Sequence, residues 1–106
     1  MMTPLPTDPE PVWSRWLAAR MGGIAEYRLP DRSRVDILTQ CLAIEVDWCK
    51  KYPEAIGQAL YYAIMTERQP AILLLLRNKP SEPKYLERAR KAAASIQMPV
   101  FTWITV

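Results

Sequence analysis

The chain has 106 residues and a net charge of +3, and half of its residues are apolar. A length of this order suits one domain with one hydrophobic core, so we predict a single domain over residues 1–106. Histidine is absent, which excludes catalytic histidine and histidine-containing zinc sites, while the weak positive charge favours an anionic partner without identifying one.

The first part of the chain predicts a loose leader over residues 1–8, followed by a helix. Thr7 with Glu10 three positions later is typical of a side-chain cap, and Asp8 before a proline is an alternative start. The glycine pair Gly22–Gly23 is expected to end this helix.

Seven further elements are predicted from alternation, apolar runs, turn residues and prolines. They are, in chain order, strands over residues 24–29, 34–38 and 41–48, a helix from 52 to about 67, a strand over 71–76, a helix with the cap candidate Ser81, and a strand over 100–106. The first three strands should form an antiparallel meander, and the unbroken apolar run at 71–76 a strand covered on both faces. The order α-β-β-β-α-β-α-β favours an α/β fold, with one mixed sheet flanked by helices.

Helical spacing indicates which side chains of two helices face the core. Trp13 and Trp16 are expected to pack there, and the alternative is a stacking platform for nucleic-acid bases. In the second helix the expected apolar stripe consists of Ile56, Leu60, Ala63 and Ile64.

Three acidic residues interrupt strands that are otherwise apolar enough to be buried. Side chains alternate along a strand, so Glu45 and Asp47 share a face, and a plausible register brings Asp36 beside Glu45. Buried carboxylates need a counter-charge, and Mg²⁺ binds through one or two carboxylates together with waters. The alternative is that these acids pair with Arg28 and Arg34 on a solvent-facing surface of the sheet.

The pattern of a strand with Asp, a strand with Glu-x, and a helix with Gln-x-x-x-Tyr resembles the PD-(D/E)XK nuclease superfamily, particularly its recombination and repair branch and the Holliday-junction resolvases. The resemblance implies a restriction-endonuclease-like core with Asp36 as the metal-binding aspartate and Glu45 as the acid of the (D/E)XK element. It also implies that Gln58 and Tyr62 border the active site, and that Glu26 is an additional metal ligand.

The same resemblance implies a further metal ligand in the backbone carbonyl of Val46, and it places a lysine where this sequence has Asp47. An aspartate there would repel a phosphate unless it is protonated or bound to a metal. Lys50 or Lys51 could replace the lysine, or Asp47 could bind a second ion. The third alternative is a fold that is retained without cleavage.

The resemblance therefore implies a Mg²⁺- or Mn²⁺-dependent DNA endonuclease, acting on branched or repair-type DNA. Two alternatives remain at this point: an inactive nuclease-like module that binds nucleic acid or protein, and an RNA-directed nuclease or toxin. Six basic residues are candidate phosphate contacts. They are Arg32, Arg34, Arg68, Arg77, Lys79 and Lys84.

A small core offers little surface for gripping duplex DNA, so we expect a homodimer. The last strand, rich in apolar side chains from Val100 to Ile104, is a candidate dimer surface or part of the core.

Cys41 and Cys49 flank the third strand, whose length would hold them about 26 Å apart, too far for a disulfide. Free thiols fit a reducing compartment, and we see neither a secretion signal nor an apolar run of membrane-spanning length. We therefore expect a cytoplasmic protein without membrane association.

Overall fold

The computed structural model describes residues 2–106, which fold into three helices and five strands in the predicted order. The elements are α1 (Glu10–Met21), β1 (Ile24–Arg28), β2 (Arg34–Leu38), β3 (Leu42–Trp48), α2 (Tyr52–Thr66), β4 (Gln69–Leu76), α3 (Glu82–Ala94) and β5 (Val100–Ile104), with a 3₁₀ turn at Cys49–Lys51. The α/β class and the sequence of elements are confirmed, and the predicted bounds differ from these by two residues or fewer at most ends.

The five strands form one mixed sheet in the order β1-β2-β3-β4-β5. β1, β2 and β3 pair antiparallel, as the predicted meander requires, whereas β3, β4 and β5 pair parallel. The two parallel connections are made by α2 and α3, which pack on one face of the sheet, while α1 covers the other. β3 and β4 therefore lie in the middle of three layers.

Alternating side chains of the central strands fill two cores. Ile44, Val46 and Leu73 point towards α1, where Trp13 and Trp16 are buried, so the two tryptophans are core residues. On the opposite face, side chains of β4 such as Ile72 and Leu74 pack against α2 and α3. Since side chains of both parities are buried, β4 is covered on both faces, as its sequence predicts.

The start of α1 differs from the predicted side-chain cap. Pro9 occupies the N-cap position without a side-chain hydrogen bond, and Glu10 is the first helical residue. The leader is also not loose throughout, because the indole Nε1 of Trp13 donates a hydrogen bond of 3.2 Å to the carbonyl of Leu5. The helix ends as expected at Gly22, whose left-handed φ of 69° suits glycine.

The buried stripe of α2 differs in part from the prediction. Ala63 is buried as expected, but Leu60 and Ile64 face outward, and Ile64 is 75% exposed. The helix instead presents small residues such as Ala55 and Ala59 to the sheet. Small side chains let the helix axis come close to the strands, which leaves the larger aliphatic side chains on the outer face.

The start of α3 is fixed by a side chain other than the expected one. Ser81 occupies the N-cap position but makes no side-chain cap. The carboxylate of Glu82 accepts hydrogen bonds from the backbone N–H groups of Arg77 and Lys79, at 2.9 and 2.8 Å. These bonds satisfy the loop between β4 and α3 and lower the pKa of Glu82 against the opposing effect of burial.

Within residues 2–106, no helix combines the length and the apolar character that crossing a bilayer requires. Cys41 is exposed, Cys49 is buried, and both are free thiols, as predicted.

Candidate metal centre

A cleft opens where β2 and β3 separate. Their ladder consists of the pairs Ile37–Ile44 and Leu38–Ala43, although both strands continue beyond it. Past this ladder, Asp36 Oδ2 accepts a hydrogen bond of 2.8 Å from the backbone N–H of Val46. The side chain thereby satisfies a donor that would otherwise pair with the neighbouring strand.

Glu45 lies at the bottom of this opening. Continuing the observed register by one pair sets it opposite Asp36, and both residues line the same cleft. Glu45 is only 5% exposed, and its Oε1 has no hydrogen-bond partner among the described residues. Burial, followed by the proximity of Asp36 and the charge of Glu10, raises the pKa of Glu45 to about 11.

Glu10 is a third acidic side chain at the cleft, contributed by the first turn of α1. Burial and then the charge of Asp36 raise the pKa of Glu10 to about 8, and a hydrogen bond from Ser14 opposes that rise. The Ser14 hydroxyl donates to Glu10 Oε1 at 3.0 Å and so orients the carboxyl group. The sequence interpretation missed this role because an acid at a helix start is also a common capping residue. Ser14 four positions later is the only signal that could have pointed to it.

Glu26, the predicted additional ligand, also lines the cleft. On β1, Glu26 lies between the residues that form the pairs Ala25–Ile37 and Tyr27–Val35. It is therefore opposite Asp36 of β2, on the side of β2 that faces away from β3. Its φ of 52° lies in the left-handed region, which is uncommon for a residue other than glycine. Its carboxylate pairs with Arg15 Nη1 at 3.3 Å, so a cation would have to compete with that arginine.

Asp47 is half-buried and lies two residues after Glu45 on β3. Its Oδ1 accepts a hydrogen bond of 2.9 Å from the backbone N–H of Trp48. Burial raises the pKa of Asp47, and the charge of Lys51 opposes this rise. Lys51 is therefore close enough to act on the position where the family pattern has lysine. Lys50 is exposed in the same 3₁₀ turn.

The remaining wall of the cleft is built by α2. Gln58 and Tyr62 lie four residues apart on one helix face and both line the cleft, which has a volume of about 350 Å³. Tyr62 is buried, and burial followed by the charge of Glu45 raises its pKa to about 12. The structure thus brings together Glu26, Asp36, Glu45, Gln58 and Tyr62 of the predicted set.

Two of the six candidate phosphate contacts, Arg32 and Arg34, lie on the rim of the cleft. Arg32 lies in the β1–β2 turn and Arg34 is the first residue of β2. In the turn, Asp31 accepts the Ser33 N–H at 2.9 Å and a hydrogen bond from the Tyr61 hydroxyl. These bonds attach the turn to α2 and hold the two arginines beside the carboxylates.

The other four candidate contacts lie elsewhere. Arg68 donates to the carbonyls of Thr39 and Thr66 at 3.1 and 2.9 Å, near the beginning of β4, which gives it a structural role. Arg77 stacks on Trp48 with its guanidinium carbon 3.4 Å from the ring centroid. Lys79 follows in the β4–α3 loop, and Lys84 lies on α3 near Tyr85.

The alternative of a solvent-facing set of ion pairs is wrong for the central acids. Glu45 is buried, and the ion pairs found between residues 2 and 106 join Arg15 to Glu26 and Glu87 to Lys91. Among the residues that the structure describes, neither Asp36 nor Glu45 has an arginine partner.

The donor set fits a hard divalent cation. In the described part of the chain, no three acidic or thiol side chains form a ready-made cluster for a metal ion. Mg²⁺ nevertheless needs only one or two carboxylates, since it retains several waters. Asp36 with Glu45 supplies these oxygens, and the unpartnered Oε1 of Glu45 is a buried acceptor that a cation would satisfy.

Comparison with known proteins gives no match: neither a protein-family model, nor a curated protein, nor a solved structure matches this chain.

Proposed function

We propose that this protein is a Mg²⁺- or Mn²⁺-dependent endonuclease that hydrolyses DNA phosphodiester bonds, with a restriction-endonuclease-like core of the PD-(D/E)XK type. The observation that carries the proposal is the convergence of Glu10, Asp36 and Glu45 on one cleft, with Glu45 buried and one of its oxygens unpartnered among residues 2–106. Buried acids at a cleft are typical of functional sites.

Asp36 and Glu45 would hold the cation. Glu26 on β1, and Asp47 and the Val46 carbonyl on β3, are further candidate oxygen donors, of which Glu26 lines the cleft. When bound, such an ion polarises a phosphodiester oxygen and lowers the pKa of a bound water. All of the proposed ligands are oxygens, which suits a hard cation.

Glu10 is suited to accept the proton of the attacking water, because it lines the same cleft and a bound cation would remove the proton that its raised pKa of about 8 retains in the metal-free protein. As the water oxygen bonds to phosphorus, the bond from phosphorus to the leaving ester oxygen breaks, and that oxygen takes up a proton from solvent. Ser14 keeps the Glu10 carboxyl oriented during this transfer.

Positive charge for the phosphate comes from two directions. Arg32 and Arg34 on the rim would bind substrate phosphates, and Lys51 beside Asp47 would replace the lysine of the family pattern. A branched or repair-type DNA remains our preferred substrate, and the free thiols support a cytoplasmic, reducing location. The small DNA-facing surface supports a homodimer.

The test is incubation of plasmid, branched DNA and RNA with Mg²⁺ or Mn²⁺. We expect cleavage of DNA by the wild type and a loss of at least a hundredfold in Asp36→Asn and Glu45→Gln. Glu67→Gln, an exposed glutamate after α2, is the matched control and should cut normally. Cleavage that persists in both cleft variants would contradict the assignment.

One observation favours a second candidate, a module that binds nucleic acid without cutting it. Asp47 lies where the family pattern has lysine, and its Oδ1 already accepts a hydrogen bond from the backbone N–H of Trp48. This candidate predicts no cleavage of any substrate with either metal, and DNA binding that survives Asp36→Asn in a gel-shift assay.

A further inference from the structure

The two edges of the sheet differ in their protection against pairing with another strand. At one edge, β1 departs from extended backbone geometry at Glu26, whose φ is left-handed, and carries the charge of Arg28. At the other edge, β5 reads Val-Phe-Thr-Trp-Ile and contains neither charge nor proline. Charges and kinks are the usual devices that block edge-to-edge association, and β5 has none of them.

The free backbone groups of β5 can be assigned from its pairing with β4. Pro99 accepts a hydrogen bond from Ile72, and Thr105 donates one to Leu76. Since residues of a parallel strand alternate in which side they bond, the odd-numbered positions face β4. Val100, Thr102 and Ile104 therefore direct their N–H and C=O groups to the open edge.

The side chains of β5 form a chemical palindrome about Thr102. In an antiparallel pairing of two copies centred there, Thr102 meets Thr102 of the second copy and Val100 meets Ile104 of the second copy. Both are pairs whose backbone groups face the edge, so they can exchange hydrogen bonds. On the other face Phe101 meets Trp103 of the second copy, which sets aromatic against aromatic.

We propose that β5 pairs antiparallel with β5 of a second copy of this chain, centred on Thr102, to form a continuous ten-stranded sheet. A strand with self-complementary side chains fits its own copy better than an unrelated strand. The pairing would also cover exposed apolar surface, since Ile104 is 54% exposed on one face of β5 and Phe101 is exposed on the other.

A groove beside β5 supports the same two-fold arrangement. It has a volume of about 580 Å³ and lies between Ile104 and one face of α3 that includes Leu86, Arg90 and Ala94. A two-fold axis perpendicular to the joined sheet keeps both α3 helices on one side of it. The two grooves then face each other and would bury their apolar linings together.

The charges on the rim of this groove are complementary under that symmetry. α3 connects the parallel strands β4 and β5 and therefore runs opposite to β5, so the α3 helices of the two copies would run antiparallel. Glu87 and Lys91 line the groove and pair with each other within α3 at 3.3 Å, and in the antiparallel arrangement Glu87 of one copy would also approach Lys91 of the second copy.

The test is the molar mass in solution, from size-exclusion chromatography with light scattering. Wild type should be a dimer, whereas Thr102→Lys and Thr102→Glu should each weaken the dimer about tenfold or more, because like charges meet at the axis. An equimolar mixture of the two variants should restore a dimer through Lys–Glu pairing. Restoration separates a direct contact at position 102 from a general loss of stability.

Ile64→Lys is the matched control, because Ile64 is a highly exposed aliphatic side chain on the outer face of α2 rather than on β5. It should leave the dimer intact. A monomeric wild type at high concentration, dissociation by Ile64→Lys, or a failure of the mixed variants to associate would overturn the proposal. Binding of a different protein to β5, without self-association of this chain, would overturn the proposal as well.

The cleft residues lie on α1, β1–β3 and α2, away from β5. Binding of Mn²⁺ per chain should therefore be unchanged in Thr102→Lys, so a failure of the dimer proposal leaves the assignment of the cleft standing.

Discussion

Glu45 is the residue whose surroundings are hardest to explain without a bound cation. An ionised carboxylate that is 5% exposed carries a large desolvation cost, and a pKa of about 11 means that the group keeps its proton at neutral pH. The neutral form still leaves Oε1 without a donor among residues 2–106. A cation would compensate both deficits.

The raised pKa of Glu45 predicts that the stability of the metal-free protein depends on pH. The native state holds the proton up to pH about 11, whereas the unfolded chain loses it near 4.5, so stability falls as pH rises through this window. The slope is at most about 1.4 kcal/mol per pH unit from this residue. Glu45→Gln removes that slope, and its stability relative to wild type should therefore increase as the pH rises.

Thermal unfolding in EDTA at about pH 5 and about pH 8 measures the effect, within the window in which the two pKa values differ. Glu67→Gln serves as the control, since that side chain is exposed, and its difference from wild type should be flat with pH. A difference between Glu45→Gln and wild type that is equal at both pH values would contradict the raised pKa.

At the same scale, the sequence was informative where an acid interrupts an apolar strand. Asp36 and Glu45 could be identified because each breaks a run of buried side chains. Glu10 could not, because a glutamate in the first turn of a helix is ordinary and is favoured there by the helix dipole. Its role follows only from the way α1 packs across the sheet.

At the scale of elements, the separation of β2 from β3 creates the site. The bond from the Val46 N–H to Asp36 holds the two strands at this distance. Asp36 is therefore both a candidate ligand and a structural acceptor, and its two roles can be separated by substitution.

Asp36→Asn keeps a side-chain oxygen for the Val46 N–H, whereas Asp36→Ala leaves that donor unpaired. Both variants lose the charge, so we expect both to lose cation binding, with Asp36→Ala less stable than Asp36→Asn by about 1–3 kcal/mol. Chemical denaturation of both variants in EDTA measures the difference. Equal stabilities would show that the bond to Val46 contributes nothing.

Periodicity predicted the existence and order of the elements but not every buried face. In α2 the residues Leu60 and Ile64 fit an apolar stripe as well as the alanines do, and only the close approach of the helix to the sheet decides between them. Likewise Ser81 is a residue type that commonly caps helices, but the longer side chain of Glu82 is the one that accepts the hydrogen bonds of the loop.

At the scale of the whole molecule, the positive charges divide into those that face the cleft and those that serve the fold. Arg32 and Arg34 lie on the cleft rim, while Arg68 bonds two backbone carbonyls at a distance from it. The net charge alone could not predict which arginines face the cleft and which stabilise the fold. That depends on where the fold places the β1–β2 turn and the beginning of β4 relative to the cleft.

The division predicts a change in the salt dependence of DNA binding. Because each phosphate contact contributes about 0.9 to the slope of log K against log salt, Arg32→Ala with Arg34→Ala should reduce that slope by about two. Arg88→Ala, an exposed arginine on α3, is the control and should leave the slope unchanged. Fluorescence anisotropy at several salt concentrations in EDTA gives the slopes, and an unaltered slope in the double variant would contradict a phosphate role for the rim.

Calorimetric titration of the metal-free protein with Mn²⁺ tests the proposed carboxylate site most directly. Near neutral pH we predict one binding site per chain, lost in Glu45→Gln and retained in Glu67→Gln. Its binding enthalpy should vary with the buffer, because Glu45 and Glu10 give up protons when the cation binds. The absence of Mn²⁺ binding, or binding of equal strength in Glu45→Gln, would contradict the site.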